Sequence, residues 1–222
     1  LEADGLPGPE WLHLYTEASR LAFADRGLYL GDPDFVPAPD GKMGGNWGTL
    51  LAPAYLAERA QRITASSMKG DAKPGAPAGI KTAFGQAADQ PEYGTSHISI
   101  VDGYGNALSM TTTIEAAFGA RQMVNPGNPS AGGGFLLNNE LTDFNYTPND
   151  ASGKPTANRV QPGKRPRSSM SPTLVFDKSN GKVVLTGGSP GGALIIHFTA
   201  KTVYGMLYWG LNAQQAINLP NF

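Results

Sequence analysis

Two β-prone runs, Ser96 to Val101 and Ala107 to Thr113, flank Asp102-Gly103-Tyr104-Gly105-Asn106. Little besides an antiparallel hairpin suits that arrangement, because turn-forming residues between two alternating runs fold the chain back on itself. With the turn centred on Tyr104, Thr113 stands opposite Thr95, their Cβ atoms ~5 Å apart. A second hairpin is expected from Thr173 to Asp177, turning through Ser179-Asn180-Gly181 and returning along Lys182 to Thr186. The most apolar helix follows, from Gly192 to about Gly210, with Ala193, Ile196, Ala200, Val203 and Leu207 on one face, and then a short helix capped by Asn212.

Upstream, Trp11, Leu14, Ala18, Leu21, Ala22 and Asp25 recur at three- and four-residue steps, which predicts an amphipathic helix over Glu10 to Arg26, ending near Gly27. Pro53 opens a second helix from Ala54 to about Ile63, and Met68 to about Pro91 reads as a linker. Asn125 to Arg167 is a long Gly/Pro/Asn-rich stretch, of the kind that is functional or disordered in a compact domain. Hairpins followed by an apolar helix allow an α+β fold.

Composition excludes several functions. Lys and Arg number 17 against 18 Asp and Glu, so there is no electrostatic footprint for nucleic acid or anionic lipid. Cysteine is absent, which removes thiolate metal sites and a cysteine nucleophile. His13, His97 and His197 lie far apart, leaving no support for a metal. No run reaches the ~20 apolar residues of a membrane span, and the first residues lack a signal-peptide pattern. Gly and Pro supply 47 of 222 residues, below the ~25–30% of low-complexity disorder.

Covalent chemistry is left to Ser, Thr, Lys or a carboxylate. Gly187-Gly188-Ser189-Pro190-Gly191 has the G-x-S-x-G form of a nucleophile elbow between a strand and a helix. An elbow needs the N–H of the residue after the serine, and Pro190 has none. Nor does any Asp or Glu follow Ser189, and His197 is the sole downstream histidine. An anion-binding turn is a second reading, with Gly191 and Gly192 offering bare N–H groups at a helix start. A plain strand-to-helix connection is a third. Thr95 opens the first strand after Gly94; a threonine becomes a nucleophile when it is an N-terminus whose own amine is the base, which here requires a break at Gly94. Equally, threonine is simply a good strand residue.

Taken in order, these pieces resemble the γ-glutamyltranspeptidase family of N-terminal-nucleophile hydrolases. His13-Leu14-Tyr15-Thr16-Glu17-Ala18, Ala22-Phe23-Ala24-Asp25-Arg26 and Tyr29-Leu30-Gly31-Asp32-Pro33 are similar to the end of that family's large subunit. Thr95-Ser96-His97 resembles the start of the small subunit after self-cleavage. Leu137-Asn138-Asn139-Glu140-Leu141-Thr142-Asp143-Phe144, Arg165 to Thr173, and Gly188-Ser189-Pro190-Gly191-Gly192 then follow in family order.

The resemblance implies a four-layer αββα sandwich, with residues 1–94 ending the large-subunit segment and 95–222 beginning the catalytic one within a single structural domain. It makes Thr95 the nucleophile, Thr113 its hydrogen-bond partner, and Gly191 with Gly192 the oxyanion hole. Glu140 and Asp143 would hold a substrate α-amino group, and Ser168 and Ser169 its α-carboxylate; loop acids and a turn are the alternatives for these four. Glu115 stands where γ-glutamyl-specific members usually carry Asn, and a third carboxylate there favours a cation. The family's clamping arginine and its later strands lie outside this chain, which reads as part of a longer protein. The implied activity is γ-glutamyl amide hydrolysis or transfer to water or an amino acid, without metal or organic cofactor. Subunits pair after cleavage, and the location is periplasmic or secreted. A glutaryl-type acylase and a non-catalytic binding fragment are the alternatives.

Overall fold

A computed structural model describes residues 1–88, 94–125, 127 and 133–222. The described helices and small antiparallel sheets are of the α+β class. The chain forms two compact units, one from Leu1–Gln90 with Leu141–Arg167, the other from Pro91–Glu140 with Ser168–Phe222.

The first unit is built on α1 (Pro9–Tyr29), which starts on a proline whose missing N–H costs nothing there. α1 runs past the expected stop at Gly27. That glycine packs closely against the Gln86 side chain, and its carbonyl accepts the Ala87 N–H at 3.2 Å. The buried side of α1 differs in part from the stripe expected. Leu21 and Asp25 of that stripe are buried, but Leu14 is exposed and Glu17, outside it, is buried. Each inward carboxylate is satisfied, as burial demands. Glu17 accepts from Arg20 at 3.0 Å and from the Met68 N–H at 2.9 Å. Asp25 accepts from Tyr55 at 2.8 Å, from the Gly75 N–H at 2.7 Å and from Arg59 at 3.1 Å. Tyr55 and Arg59 come from α2 (Pro53–Ala60). The segment expected to be a linker is therefore fastened to α1 at Met68 and Gly75.

Residues 141–167 pack into the same unit with little regular structure. Buried Asn158 organises them: its amide donates to the Asp143 carbonyl at 2.7 Å and its oxygen accepts the Arg167 N–H at 2.9 Å. Asp32 ties them to the N-terminal part, accepting from the Arg165 N–H at 2.8 Å and from its guanidinium at 2.9 and 2.7 Å. Those bonds hold the Asp32 carboxyl well below the usual carboxylate range.

The second unit contains the expected hairpins. β1 (Ser96–Val101) pairs antiparallel with β2 (Ala107–Thr112), Ser96 opposite Thr112 and His97 opposite Thr111. β3 (Met123–Val124) and β4 (Phe135–Leu136) make a minor pair. β5 (Thr173–Phe176) pairs with β6 (Val183–Gly187) across a turn closed by the Asp177 N–H on Lys182 O at 2.8 Å. Ser109 of β2 joins the two main hairpins, donating to Gly187 O at 2.9 Å and accepting the Thr173 N–H at 3.0 Å. A 3-10 turn, Gly192–Leu194, leads into α3 (Ile195–Tyr208), followed by α4 (Ala213–Asn218) with an Asn212–Gln215 capping box. α3 buries Ile195, Thr199, Lys201 and Gly205, while Ala200 and Leu207 of the expected face are exposed. Lys201 turns inward because its ammonium donates to the Leu219 carbonyl at 2.8 Å and to Asn221 at 3.0 Å.

Because Asp32 titrates lower in the folded chain than its ordinary ~3.9, the stability it contributes is complete above about pH 4 and is lost as pH falls toward the lowered value. Arg165→Gln should lower the melting temperature at pH 7, and the gap from the parent should narrow below pH 4. A gap constant from pH 7 to pH 3, measured by thermal unfolding, would contradict this linkage.

Candidate active site

The β1–β2 register brings two hydroxyls to one carbonyl. Continued by one pair beyond Ser96 and Thr112, it sets Thr95 opposite Thr113 as the sequence spacing requires. The Thr95 hydroxyl donates to the Gly94 carbonyl at 2.5 Å, and the Thr113 hydroxyl donates to the same oxygen. Behind them the Glu115 N–H donates to Thr113 Oγ1 at 2.8 Å. A donor that itself accepts a hydrogen bond is polarised, so the Gly94 carbonyl faces a directed pair of donors.

Backbone conformation makes this convergence possible. Gly94 has φ +45°, and a Cβ there would overlap the Glu115 carbonyl oxygen, so both angle and clearance call for glycine. Glu115 has φ 69°, one of two non-glycine residues with positive φ among those described, the other being Arg121. Such a conformation costs about 1–3 kcal/mol and persists only where neighbours over-determine it. Asn139 does so. Its side-chain amide donates to the Glu115 carboxylate, its oxygen accepts the Ala116 N–H at 3.0 Å, and its own N–H donates to Ile114 O at 3.2 Å. Glu115 is buried, with 5% of its surface exposed. Asn139 has no expected role of its own in the sequence, although it stands beside Glu140 in the Leu137 to Phe144 motif.

The remaining candidates are distributed. Gly191 (φ +135°) and Gly192 (φ +56°) form the turn after β6, where the 3-10 bonds begin with the Leu194 N–H on Gly191 O at 3.1 Å. Amides at such a start lie ahead of the helical ladder. Ser189 turns its hydroxyl to its neighbour's carbonyl, Pro190 O, at 2.7 Å. Burial pushes the His197 imidazole down from its ordinary value. Glu140 and Asp143 share one 3-10 turn, and the boundary between the compact units falls within it, after Glu140. Ser168 is exposed and its Oγ accepts the Met170 N–H at 3.1 Å; Ser169 is buried and its carbonyl accepts the Ser171 hydroxyl at 3.0 Å. Among the described residues, no group of three or more His, Asp or Glu could hold a metal ion.

A self-directed hydroxyl, a glycine at positive φ before it and a second hydroxyl on the same carbonyl define a candidate site for intramolecular acyl transfer. The γ-glutamyltranspeptidase family profile matches residues 1–222, and the chain belongs to that family. It is 39% identical over 218 residues to the glutathione hydrolase proenzyme of Bacillus subtilis (strain 168), covering 95% of this chain and 33% of that protein. With the Escherichia coli (strain K12) proenzyme it shares 36% identity over 226 residues, covering 98% of this chain and 34% of the relative. The chain thus spans about a third of the length of these relatives. A crystal structure of a mutant Helicobacter pylori γ-glutamyltranspeptidase aligns with TM-score 0.48 and 38% identity, over 57% of this chain and 66% of that one.

Gly94→Ala tests the need for glycine at this junction. In an uncut Thr95→Ala background it should destabilise the chain by about 1–3 kcal/mol in urea unfolding, the cost of a Cβ at positive φ against a carbonyl. An unchanged midpoint would show that Gly94 does not hold this conformation.

Proposed function

We propose that this chain is the junction region of a γ-glutamyl amide hydrolase and transpeptidase, which activates itself by cutting Gly94–Thr95. The observation that carries the reading is the Gly94 carbonyl held between the Thr95 and Thr113 hydroxyls. In the cut, Thr95 Oγ1 attacks the Gly94 carbon through a five-membered ring, and the C–N bond breaks as its nitrogen takes the hydroxyl proton. Water opens the resulting ester, leaving a Gly94 carboxylate and a Thr95 with free hydroxyl and free amine. Thr113 stabilises the oxyanion that forms on the Gly94 oxygen, as a preorganised donor does elsewhere.

After the cut, the Thr95 amine serves as base for its own hydroxyl. The hydroxyl attacks a γ-glutamyl carbonyl, the proton passes to the leaving amine, and water or an amino acid releases the acyl group. Gly191 and Gly192 would supply the second oxyanion site. A third carboxylate at Glu115 would favour a cation and repel a substrate carboxylate, and a glutaryl-type acylase is the alternative that this departure leaves open. Glu140 and Asp143 would hold the substrate α-amino group, and Ser168 and Ser169 would bind the carboxylate. The curated relatives are named glutathione hydrolases, so glutathione-type γ-glutamyl compounds are the proposed substrates. A four-layer αββα sandwich, pairing of the two cleaved pieces, and a periplasmic or secreted location complete the proposal. Among the described residues no helix is long and apolar enough to cross a membrane.

Intact mass of the full-length protein should show two pieces meeting at Gly94 and Thr95. Thr95→Ala should leave one uncut chain without activity on a γ-glutamyl anilide, and Thr113→Val should slow the cut roughly 10²-fold, the cost of one oxyanion donor. An uncut chain that hydrolyses the anilide would overturn the mechanism.

A further inference from the structure

Resting on the Thr95 reading, we infer that His97 is a positioning residue, which through its packing against Gly188 sets the height of the Ser189–Gly192 turn relative to the nucleophile strand. His97 lies two residues beyond Thr95 and so on the same face of β1. Its imidazole is held at both nitrogens: Nδ1 is 2.8 Å from the Thr111 hydroxyl across the strand pair, and Nε2 is 3.0 Å from the Ser99 hydroxyl. Moving the ring sacrifices both bonds.

The face of the ring lies against Gly188. A Cβ at Gly188 would overlap two ring atoms, and Gly188 lacks the positive φ that would otherwise explain a glycine. The glycine is there for clearance. One residue earlier, the Gly187 carbonyl is bonded by Ser109, which stands opposite Ser99. The strand leading to the turn is therefore located twice from the β1–β2 hairpin, by a hydrogen bond at Gly187 and by ring contact at Gly188. On the far side of the turn, the Phe198 ring lies where a Cβ of Gly191 would go. Two rings thus approach the turn, His97 at Gly188 and Phe198 at Gly191, and the first belongs to the nucleophile's own strand.

A size-swap cycle in the full-length protein tests the contact, with turnover of a γ-glutamyl anilide expressed per acylated Thr95 from the burst, so that loss of folded protein does not count as loss of rate. Gly188→Ala should lower kcat about 10²-fold, the scale of a 1 Å misplacement, with KM within threefold of the parent. His97→Ala should lower kcat roughly tenfold. In the double variant the new methyl occupies space the ring has left, so its kcat should exceed that of Gly188→Ala by roughly tenfold. Parental turnover in Gly188→Ala, or a double variant no faster than Gly188→Ala, would overturn the inference. If Gly188→Ala yields no folded protein, recovery of folded, cut protein on adding His97→Ala supports the contact and continued failure refutes it. A parent that neither splits at Gly94–Thr95 nor turns over the anilide refutes the underlying reading instead.

Discussion

The register of one hairpin is the constraint on which the site depends. Alternation along a strand has period two, so a slip of one residue would turn Thr95, His97 and Ser99 to the opposite face together. The turn prevents the slip. Asp102 accepts the N–H groups of Tyr104 and Asn106, both at 2.9 Å, and the Asn106 amide at 2.7 Å, and these bonds hold its carboxyl below the usual range, the Asn106 side chain first among them. Gly105 supplies the positive φ of 88° that the turn needs. A five-residue loop at one end thus decides which side chains meet at the other.

Strain at the far end is the counterpart of that rigidity. Gly94 and Glu115 both occupy the left-handed region, with Gly94 so near the Glu115 carbonyl that a Cβ there would overlap it, and the three Asn139 bonds hold Glu115 in place. Cleavage after Gly94 would release one side of this arrangement while leaving the Glu115–Asn139 side intact. On the proposed mechanism the groups that make the cut would also be the walls of the site left behind, and Thr113, which here holds the Gly94 carbonyl, would then hold the Thr95 hydroxyl.

What was legible in the sequence were the features with local periodicity or turn chemistry: both main hairpins, α1, α2, the Asn212 cap, and through the register the Thr95–Thr113 pairing. The misses share a different cause. Glu17 is buried, and Asp25 on the expected face finds its partners, because Met68, Gly75, Tyr55 and Arg59 reach them from 30 to 51 residues away, and no helical window contains those partners. Residues 141–167 look like an open loop because Asn158, Asp32 and Lys164 order them through side-chain bonds to backbone, which leave no repeat in the sequence. Asn139 bonds Ile114, Glu115 and Ala116, 23 to 25 residues before it, which no local window contains.

The hairpin's polar face connects these points. Thr95 with Thr113, His97 with Thr111, and Ser99 with Ser109 form successive rungs, on a strand pair whose other face carries Ile98, Ile100, Leu108 and Met110. Hydroxyls and an imidazole on a strand face weaken hydrophobic packing there, yet these rungs are used: Thr113 and Thr95 on Gly94, Thr111 and Ser99 on His97, Ser109 on Gly187 and Thr173. Each rung fixes either the scissile carbonyl or the strand that leads to the glycine turn. An apolar ladder of the same shape would hold the two hairpins together, but without directional bonds it would leave their relative height free to adjust. On the proposed reading, acyl transfer needs both the attacking oxygen and the oxyanion donors placed to a fraction of an ångström, a demand that the polar composition of this strand face would meet.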